Sequence, residues 1–264
     1  MPTPVERLTE LLALDPVPLD RVMAVVASVA PGAPGEDDVV AAFDALAAHL
    51  RAARGGGPLG AEAVLTHVYG ELGFVGNTAD YYSPDNSLVH RVLATRRGIP
   101  LTLGMIGVEI ARRVGVELSV VGLPGHVIVG DGPEPSRWFD PFGGGAELDL
   151  EGCRQLFGRF SPIESFDPAM TAPISALAAT ARMVGNLKLC YRNRGNLAQM
   201  ARVLELSAEL PGAPVTERLE LAGALAALGR DEQAARQRDL LARLDPARAQ
   251  AHQAAAIRHR ARQN

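Results

Sequence analysis

Residues 101–132 read LTLGMIGVEIARRVGVELSVVGLPGHVIVGDG, a helical pattern followed by two strand patterns. The β-branched runs on either side of Leu123-Pro124-Gly125 indicate two strands joined by a turn. SRWFDPFGG, residues 136–144, is typical of a third short strand that runs into another turn. The pattern therefore predicts an α+β fold in which a central helix precedes a small antiparallel sheet.

The central helix is predicted over residues 101–115. Apolar residues cover most of its surface, which predicts that it is buried. Thr102 is a candidate N-cap, and Gly115 is a candidate C-terminal cap. We expect the charged residues Glu109, Arg112 and Arg113 to face outward.

The rest of the chain divides by pattern into an N-terminal and a C-terminal helical region. Residues 1–58 are predicted to form a helical segment that packs on a core formed by residues 59–174. Residues 175–264 are predicted to be helical and repetitive, because Gly195 and Gly229 occupy equivalent positions 34 residues apart. This period is the signature of tetratricopeptide repeats.

Composition excludes several classes of function. The 264 residues are 47% apolar and 21% charged, with a net charge of −4, so no attraction to nucleic acid or anionic membrane is expected. The sequence has no long apolar run and no signal-peptide pattern at its start. Cys153 and Cys190 have no metal-binding spacing, and two free thiols favour the cytoplasm.

His126 and Asp140 are the most distinctive candidates for a functional pair. They lie on neighbouring predicted strands, so Asp140 could fix the tautomer and orientation of the imidazole. The alternative is structural: a histidine on an apolar strand packs in the core, and Asp140 caps the turn before Pro141. Two converging ligands are too few for a metal, so we expect no metal and no cofactor.

Longer motifs support a family resemblance. ELGFVGNTADYYSPDNSLVHRVLATRRGIPLTLGMIGVEIARRVGVELSVVGLPGHVIV, then FDPFGGG and C-terminal helices, resembles the bacterial SirB-type family. The resemblance implies a transglutaminase-like fold, related to papain-type cysteine proteases, with C-terminal tetratricopeptide repeats. It also implies a nucleophile at the start of the central helix, with histidine and aspartate on the strands that follow. The reaction implied is acyl transfer through a thioester.

The resemblance places the nucleophile near residues 100–102, which read Pro-Leu-Thr and contain no cysteine. Thr102 is either the N-cap or a nucleophile that needs His126 as its base. A helix N-terminus stabilises charge by about 0.3–2 kcal/mol. At about 1.36 kcal/mol per pKa unit, that stabilisation lowers a pKa by about one unit. A shift of this size activates a thiol but leaves an alcohol protonated. Cys153 and Cys190 are expected to be buried and inert.

The tyrosine loop, residues 75–87 (VGNTADYYSPDNS), and the turn before the central helix supply further polar candidates for the cleft. They are Asn77, Tyr81, Tyr82, Asn86, Ser87, Arg96 and Arg97. The structural alternative is that the asparagines form turns and the arginines cap the preceding helix.

We therefore expect a transglutaminase-like protein that lacks the catalytic cysteine and binds a protein or peptide, in a non-catalytic, divergent or regulatory role. One alternative is an acyl transferase or amidohydrolase that uses Thr102, or a water activated by His126 and Asp140. Another is an adaptor in which the repeats alone bind a partner. In none of these do we expect nucleic acid, a membrane, a metal or a cofactor to be bound.

Overall fold

A computed structural model describes residues 2–55, 57–161 and 163–262. These residues form two compact units. The first runs from Leu11 to Met183, and the second comprises the residues up to Glu10 together with those from Val184 onward.

Helices dominate the N-terminal part of the chain. Apolar side chains of the long third helix, among them Phe43 and Leu50, are fully buried. A π-helical turn over Thr66–Glu71 directly continues the fourth helix. The helices are α1 Pro4–Leu12, α2 Leu19–Ala27, α3 Glu36–Ala53 and α4 Ala61–Leu65.

The next segment leads into the central helix. A short parallel pair, β1 Val75–Gly76 and β2 Arg97–Gly98, encloses α5 Val89–Thr95. The central helix, α6 Pro100–Arg113, contacts α2, α3, α4 and α5 on one side and the following strands on the other. Its burial follows from the nearly continuous apolar surface seen in the sequence.

An antiparallel sheet follows α6, in the order β3-β4-β5-β6. The Leu123–Gly125 turn is present, because the His126 N–H donates to the Leu123 carbonyl at 2.9 Å. The α+β prediction is thus confirmed. The sheet is followed by α7 Leu150–Phe160, whose Asp149 cap accepts from the Gly152 N–H. The strands are β3 Ser119–Val121, β4 Ile128–Gly130, β5 Trp138–Asp140 and β6 Ala146–Leu148.

The remaining helices belong mainly to the second unit, which the chain enters within α8. From α9 onward, each helix packs on the next. Gly195 and Gly229 follow α8 and α10 with φ of 65° and 72°, which suits glycine at a helix end. The tetratricopeptide assignment stays a prediction. The helices are α8 Ala176–Asn193, α9 Leu197–Ser207, α10 Val215–Ala227, α11 Asp231–Leu244 and α12 Ala249–Ala261.

The outward-facing prediction is wrong for two of the three charged residues of α6. Glu109 is 1% exposed and accepts hydrogen bonds from Arg112 and Arg113. Arg113 also binds the buried Asp20 of α2 and, at 2.7 Å, Asp44 of α3. Arg112 remains half-exposed. Burial raises the pKa of Glu109, against the opposing effect of its arginine partners. The charges therefore form an ion-pair network that joins three helices.

Candidate functional site

The imidazole of His126 and the carboxylate of Asp140 are in contact. His126 follows the turn that leads into β4, and Asp140 ends β5. Nε2 of His126 lies 2.9 Å from Oδ1 of Asp140, so the predicted hydrogen bond is present. The imidazole is almost fully buried. We refer to the pair as the His126–Asp140 dyad.

The electrostatics of the dyad fix the tautomer of His126. Burial by itself would raise the pKa of Asp140. The hydrogen bond and charge of His126, with the backbone N–H groups of Gly143 and Phe142, outweigh that effect and lower the pKa. An ionised carboxylate accepts a hydrogen bond from Nε2–H, so in the neutral imidazole the lone pair lies on Nδ1. In the part of the chain that the structure describes, Nδ1 has no hydrogen-bond partner.

Aromatic rings surround the imidazole. Phe160, at the end of α7, stacks on it with centroids 5.0 Å apart and planes inclined by 15°. Phe142 approaches it edge-on at 6.2 Å. Tyr81 contacts Phe142 at 5.8 Å, and Tyr82 contacts Tyr81 at 5.3 Å. The tyrosine loop thus reaches the dyad through Phe142, and Phe160 is a site residue that sequence reasoning missed.

Arg182 is a second residue that the sequence did not indicate. Its guanidinium donates to the backbone carbonyls of His126 at 2.9 Å and Leu123 at 3.3 Å. Burial lowers the pKa of this guanidinium. Because both acceptors lie in the turn that carries His126, Arg182 positions the imidazole through the backbone.

Thr102 is not the N-cap of α6, so that prediction is wrong. The N-cap is Ile99, Pro100 is the first helical residue, and Thr102 is the third. Thr102 is fully buried, and its hydroxyl has no hydrogen-bond partner among the described residues. Proline at the first position, with its fixed φ, starts the helix without a side-chain cap.

The Thr102 hydroxyl also lies on the wrong face of α6 for the dyad. A Cβ on Gly104 would lie 3.6 Å from Val127 and 3.5 Å from Val129, so Gly104 faces the strand that follows His126. Thr102 is two residues earlier, about 200° around the helix. Pro100, four residues before Gly104, is the residue at the start of α6 that shares its face.

Replacing Thr102 with valine is expected to stabilise the first unit by about 1 kcal/mol. The change keeps the shape of the side chain and removes a buried hydroxyl that has no partner. The free energy of unfolding in urea, followed by Trp138 fluorescence, measures the effect. Thr180→Val is the control, because the buried Thr180 hydroxyl donates to the Ala176 carbonyl at 2.7 Å. We expect the control to lose about 1 kcal/mol, and a similar loss for Thr102→Val would contradict the assignment.

The side chains of two asparagines, Asn77 and Asn86, form hydrogen bonds within the tyrosine loop. Asn77 Nδ2 donates to Asn86 Oδ1 at 2.9 Å. Asn86 is buried, and its Nδ2 donates to the carbonyls of Asp80 and Tyr81. These bonds match the turn-forming alternative. Tyr81 and Tyr82 themselves are 41% and 55% exposed.

The other three candidate pocket residues are Ser87, Arg97 and Arg96. Ser87 is buried, with no hydrogen-bond partner for its hydroxyl among the described residues. Arg97 lies in β2 and is exposed. Arg96 lies over the ring of Phe74 and lines a cavity whose other polar member is His49.

Cys153 lacks the features of an activated thiol. Burial, with a contribution from the charge of Asp149, raises the pKa of Cys153 to about 12. Cys190 lies in α8 and is buried, as Cys153 is. An activated thiol needs the opposite shift. Within the described ranges, no cluster of three metal-ligating side chains occurs, and no helix is long and apolar enough to cross a membrane.

The order of central helix, histidine strand and aspartate strand agrees with a comparison against known families. The sequence profile of the Transglutaminase-like superfamily matches residues 37–185, more than half of the chain. The chain belongs to the transglutaminase-like superfamily. The matched region contains α6, the dyad and the tyrosine loop, so the geometry described above is that of its transglutaminase-like domain.

Similar proteins occur in bacteria and in animals. A UPF0162 protein of Xylella fastidiosa is 33% identical over 153 residues, which cover 55% of this chain and 53% of the relative. A UPF0162 protein of Pseudomonas aeruginosa is 29% identical over 141 residues, 52% of either chain. F-box only protein 21 of Mus musculus is 30% identical over 169 residues, 61% of this chain and 26% of that protein. The transglutaminase-like chain thus spans about half the length of its bacterial relatives.

Proposed function

We propose that this transglutaminase-like protein binds a peptide segment at the His126–Asp140 dyad without forming a covalent intermediate. One observation carries the proposal: Nε2 is bonded to Asp140, while Nδ1 has no hydrogen-bond partner among the described residues. In the neutral imidazole Nδ1 carries a lone pair, which accepts a hydrogen bond from an amide N–H. The proposal extends to the SirB-type family assignment and to a regulatory role in the cytoplasm.

The surroundings of the dyad favour binding over acyl transfer. A thioester needs a thiolate, and the residue on the dyad-facing side of the helix start is Pro100. Thr102 lies on the opposite face, and the raised pKa of Cys153 keeps its thiol protonated. Phe142, Phe160 and the exposed Tyr81 offer apolar and amphipathic area to a peptide.

The helices from α8 to α12 supply a second surface for protein binding in this proposal. Their 34-residue period and the glycines at their ends support a tetratricopeptide-like reading. Such repeats commonly present an extended surface for a partner.

A second candidate is an amidohydrolase in which the dyad activates water. The 2.9 Å contact with an ionised Asp140 favours it, because the carboxylate would stabilise the imidazolium that forms. Nδ1 would take a proton from water as the hydroxide attacks the amide carbon, and would return that proton to the leaving amine. This route needs no nucleophile at Thr102.

A peptide array read with purified protein tests the proposal. Wild-type protein is expected to bind a defined subset of peptides, and His126→Ala is expected to lose at least about tenfold in affinity, the equivalent of 1.4 kcal/mol. Thr102→Val is the matched control and should bind like the wild type, because its hydroxyl faces away from the dyad. Equal binding by wild type and His126→Ala would refute a role for the dyad.

Mass spectrometry of the bound peptides separates the two candidates. Intact peptides after prolonged incubation support binding, and cleavage that is lost in His126→Ala and Asp140→Asn supports the hydrolase. Labelling with an electrophilic acyl probe is expected to leave Thr102, Cys153 and Cys190 unmodified. A labelled Thr102 would overturn the non-covalent proposal.

A further inference from the structure

A cavity of about 490 Å³ lies beside α3 and α5, well separated in sequence from the dyad. We call it the α3–α5 groove. Alanine and leucine side chains of α3 and α5, with Leu72, form most of its lining, and its polar members are His49 and Arg96. Its volume falls within the range of small-molecule sites.

Arg96 has an unusual backbone and an uncompensated charge. Among the described residues, it is the one non-glycine residue with positive φ, at 59°. Its guanidinium lies 4.5 Å above the ring of Phe74, and its NH1 atom is buried with no hydrogen-bond partner. No carboxylate of the described ranges forms an ion pair with it. A partly buried cation with an unpartnered donor and no counterion is unfavourable, and an anion would relieve that penalty.

His49 is held in place by a chain of hydrogen bonds beside the groove. Its Nδ1 lies 3.1 Å from Nε2 of the buried His67, and Nδ1 of His67 lies 2.7 Å from Glu71. Glu71 also accepts from Arg54. Arg54 and His67 therefore both bind Glu71, and Nε2 of His49 is the ring nitrogen that lies outside this chain of hydrogen bonds.

We propose that the α3–α5 groove binds a small molecule with one carboxylate on a short aliphatic body. The guanidinium of Arg96 binds the carboxylate, since its planar donors match the two oxygens. The imidazole of His49 lies beside the same group as the second polar residue of the lining, and the alanine and leucine side chains contact the aliphatic part. This site is distinct from the dyad and stands whether or not the dyad binds a peptide.

The chemistry of the lining selects this class of ligand. A phosphate ester would bring more negative charge than one arginine can neutralise. An uncharged hydrocarbon would leave the NH1 atom of Arg96 without a partner. A carboxylate forms an ion pair with the guanidinium of Arg96, and the alkyl chain of the ligand removes apolar surface from water. A fatty acid and the C-terminal leucine of a peptide share this chemistry.

Titration with octanoate, monitored by two-dimensional amide NMR of the full chain, tests the site. Saturable shifts are expected at residues around Arg96 and His49. Arg96→Gly is expected to weaken octanoate binding at least about tenfold, or 1.4 kcal/mol. Glycine suits a φ of 59°, so the variant should fold, with an unchanged or raised melting temperature. Arg91→Gln, on the exposed part of α5, is the control and should bind like the wild type.

Two further ligands test the role of the charge and the source of the carboxylate. Octanol has the same chain without the charge, and it should bind at least about tenfold more weakly than octanoate to the wild type. N-acetyl-leucine stands for a peptide C-terminus: tighter binding than octanoate identifies a peptide source, and weaker binding a fatty-acid source. Absence of saturable octanoate binding, equal octanoate binding by Arg96→Gly, or equal affinity for octanol would each overturn the proposal.

Discussion

Replacing Arg113 with methionine is expected to destabilise the first unit by about 3–5 kcal/mol. The guanidinium of Arg113 binds the buried carboxylates of Glu109 and Asp20 and reaches Asp44 at 2.7 Å. Methionine fills similar space but leaves Glu109 and Asp20 without this counterion. The penalty of two buried carboxylates then dominates any gain in apolar contact.

Arg112→Met is the matched control, because Arg112 binds the same Glu109 oxygen at 2.7 Å but is half-exposed. Its loss should cost less than about 1 kcal/mol. Urea unfolding followed by fluorescence reports on the first unit, since the single tryptophan, Trp138, lies in β5. Equal effects of the two variants would show that the burial of Arg113 is not what stabilises the three-helix junction.

The pH dependence of the Arg113 effect has a defined sign. Burial raises the pKa of Glu109 above its value in the unfolded chain. A raised carboxyl pKa favours folding at low pH, and this contribution is lost as pH rises above about 4.3, the ordinary glutamate value. Removing Arg113 leaves that carboxylate less compensated. The destabilisation by Arg113→Met should therefore be smaller near pH 4 than near pH 7.

Local patterns predicted the elements that carry the dyad. The apolar surface of α6, the Leu123–Gly125 turn and the alternation around His126 are each properties of a few consecutive residues. His126 and Asp140 lie on adjacent strands of one small sheet, so their approach followed from the order of elements. The hydrogen bond between them then needed no long-range information.

Contacts between distant segments could not be predicted in this way. Glu109 looked like an exposed residue because its partner Arg113 is held by Asp20 of α2, far away in sequence. Phe160 reaches His126 from the end of α7, and nothing in the local sequence of α7 signals that stacking. Thr102 was misplaced for a different reason: Pro100 starts the helix two residues earlier, which rotates the hydroxyl away from the sheet.

Replacing Gly125 with alanine is expected to cost about 2–4 kcal/mol and to disturb the ring that stacks on His126. Gly125 has a φ of 78°, which penalises any residue with a Cβ. The new methyl group would also lie 2.2 Å from the Phe160 carbonyl oxygen. Because that neighbour is backbone, the end of α7 must shift, and Phe160 must shift with it.

Gly115→Ala separates the two contributions. Gly115 has the same φ of 78°, but a Cβ there would meet no atom within 4 Å. It should therefore cost about 1–2 kcal/mol for the backbone conformation alone. The difference between the two variants measures the contact between the His126 turn and α7. If that contact positions Phe160 for ligand binding, Gly125→Ala should weaken peptide binding while Gly115→Ala leaves it unchanged. Equal stability losses with equal peptide binding would show that α7 does not hold the imidazole in place.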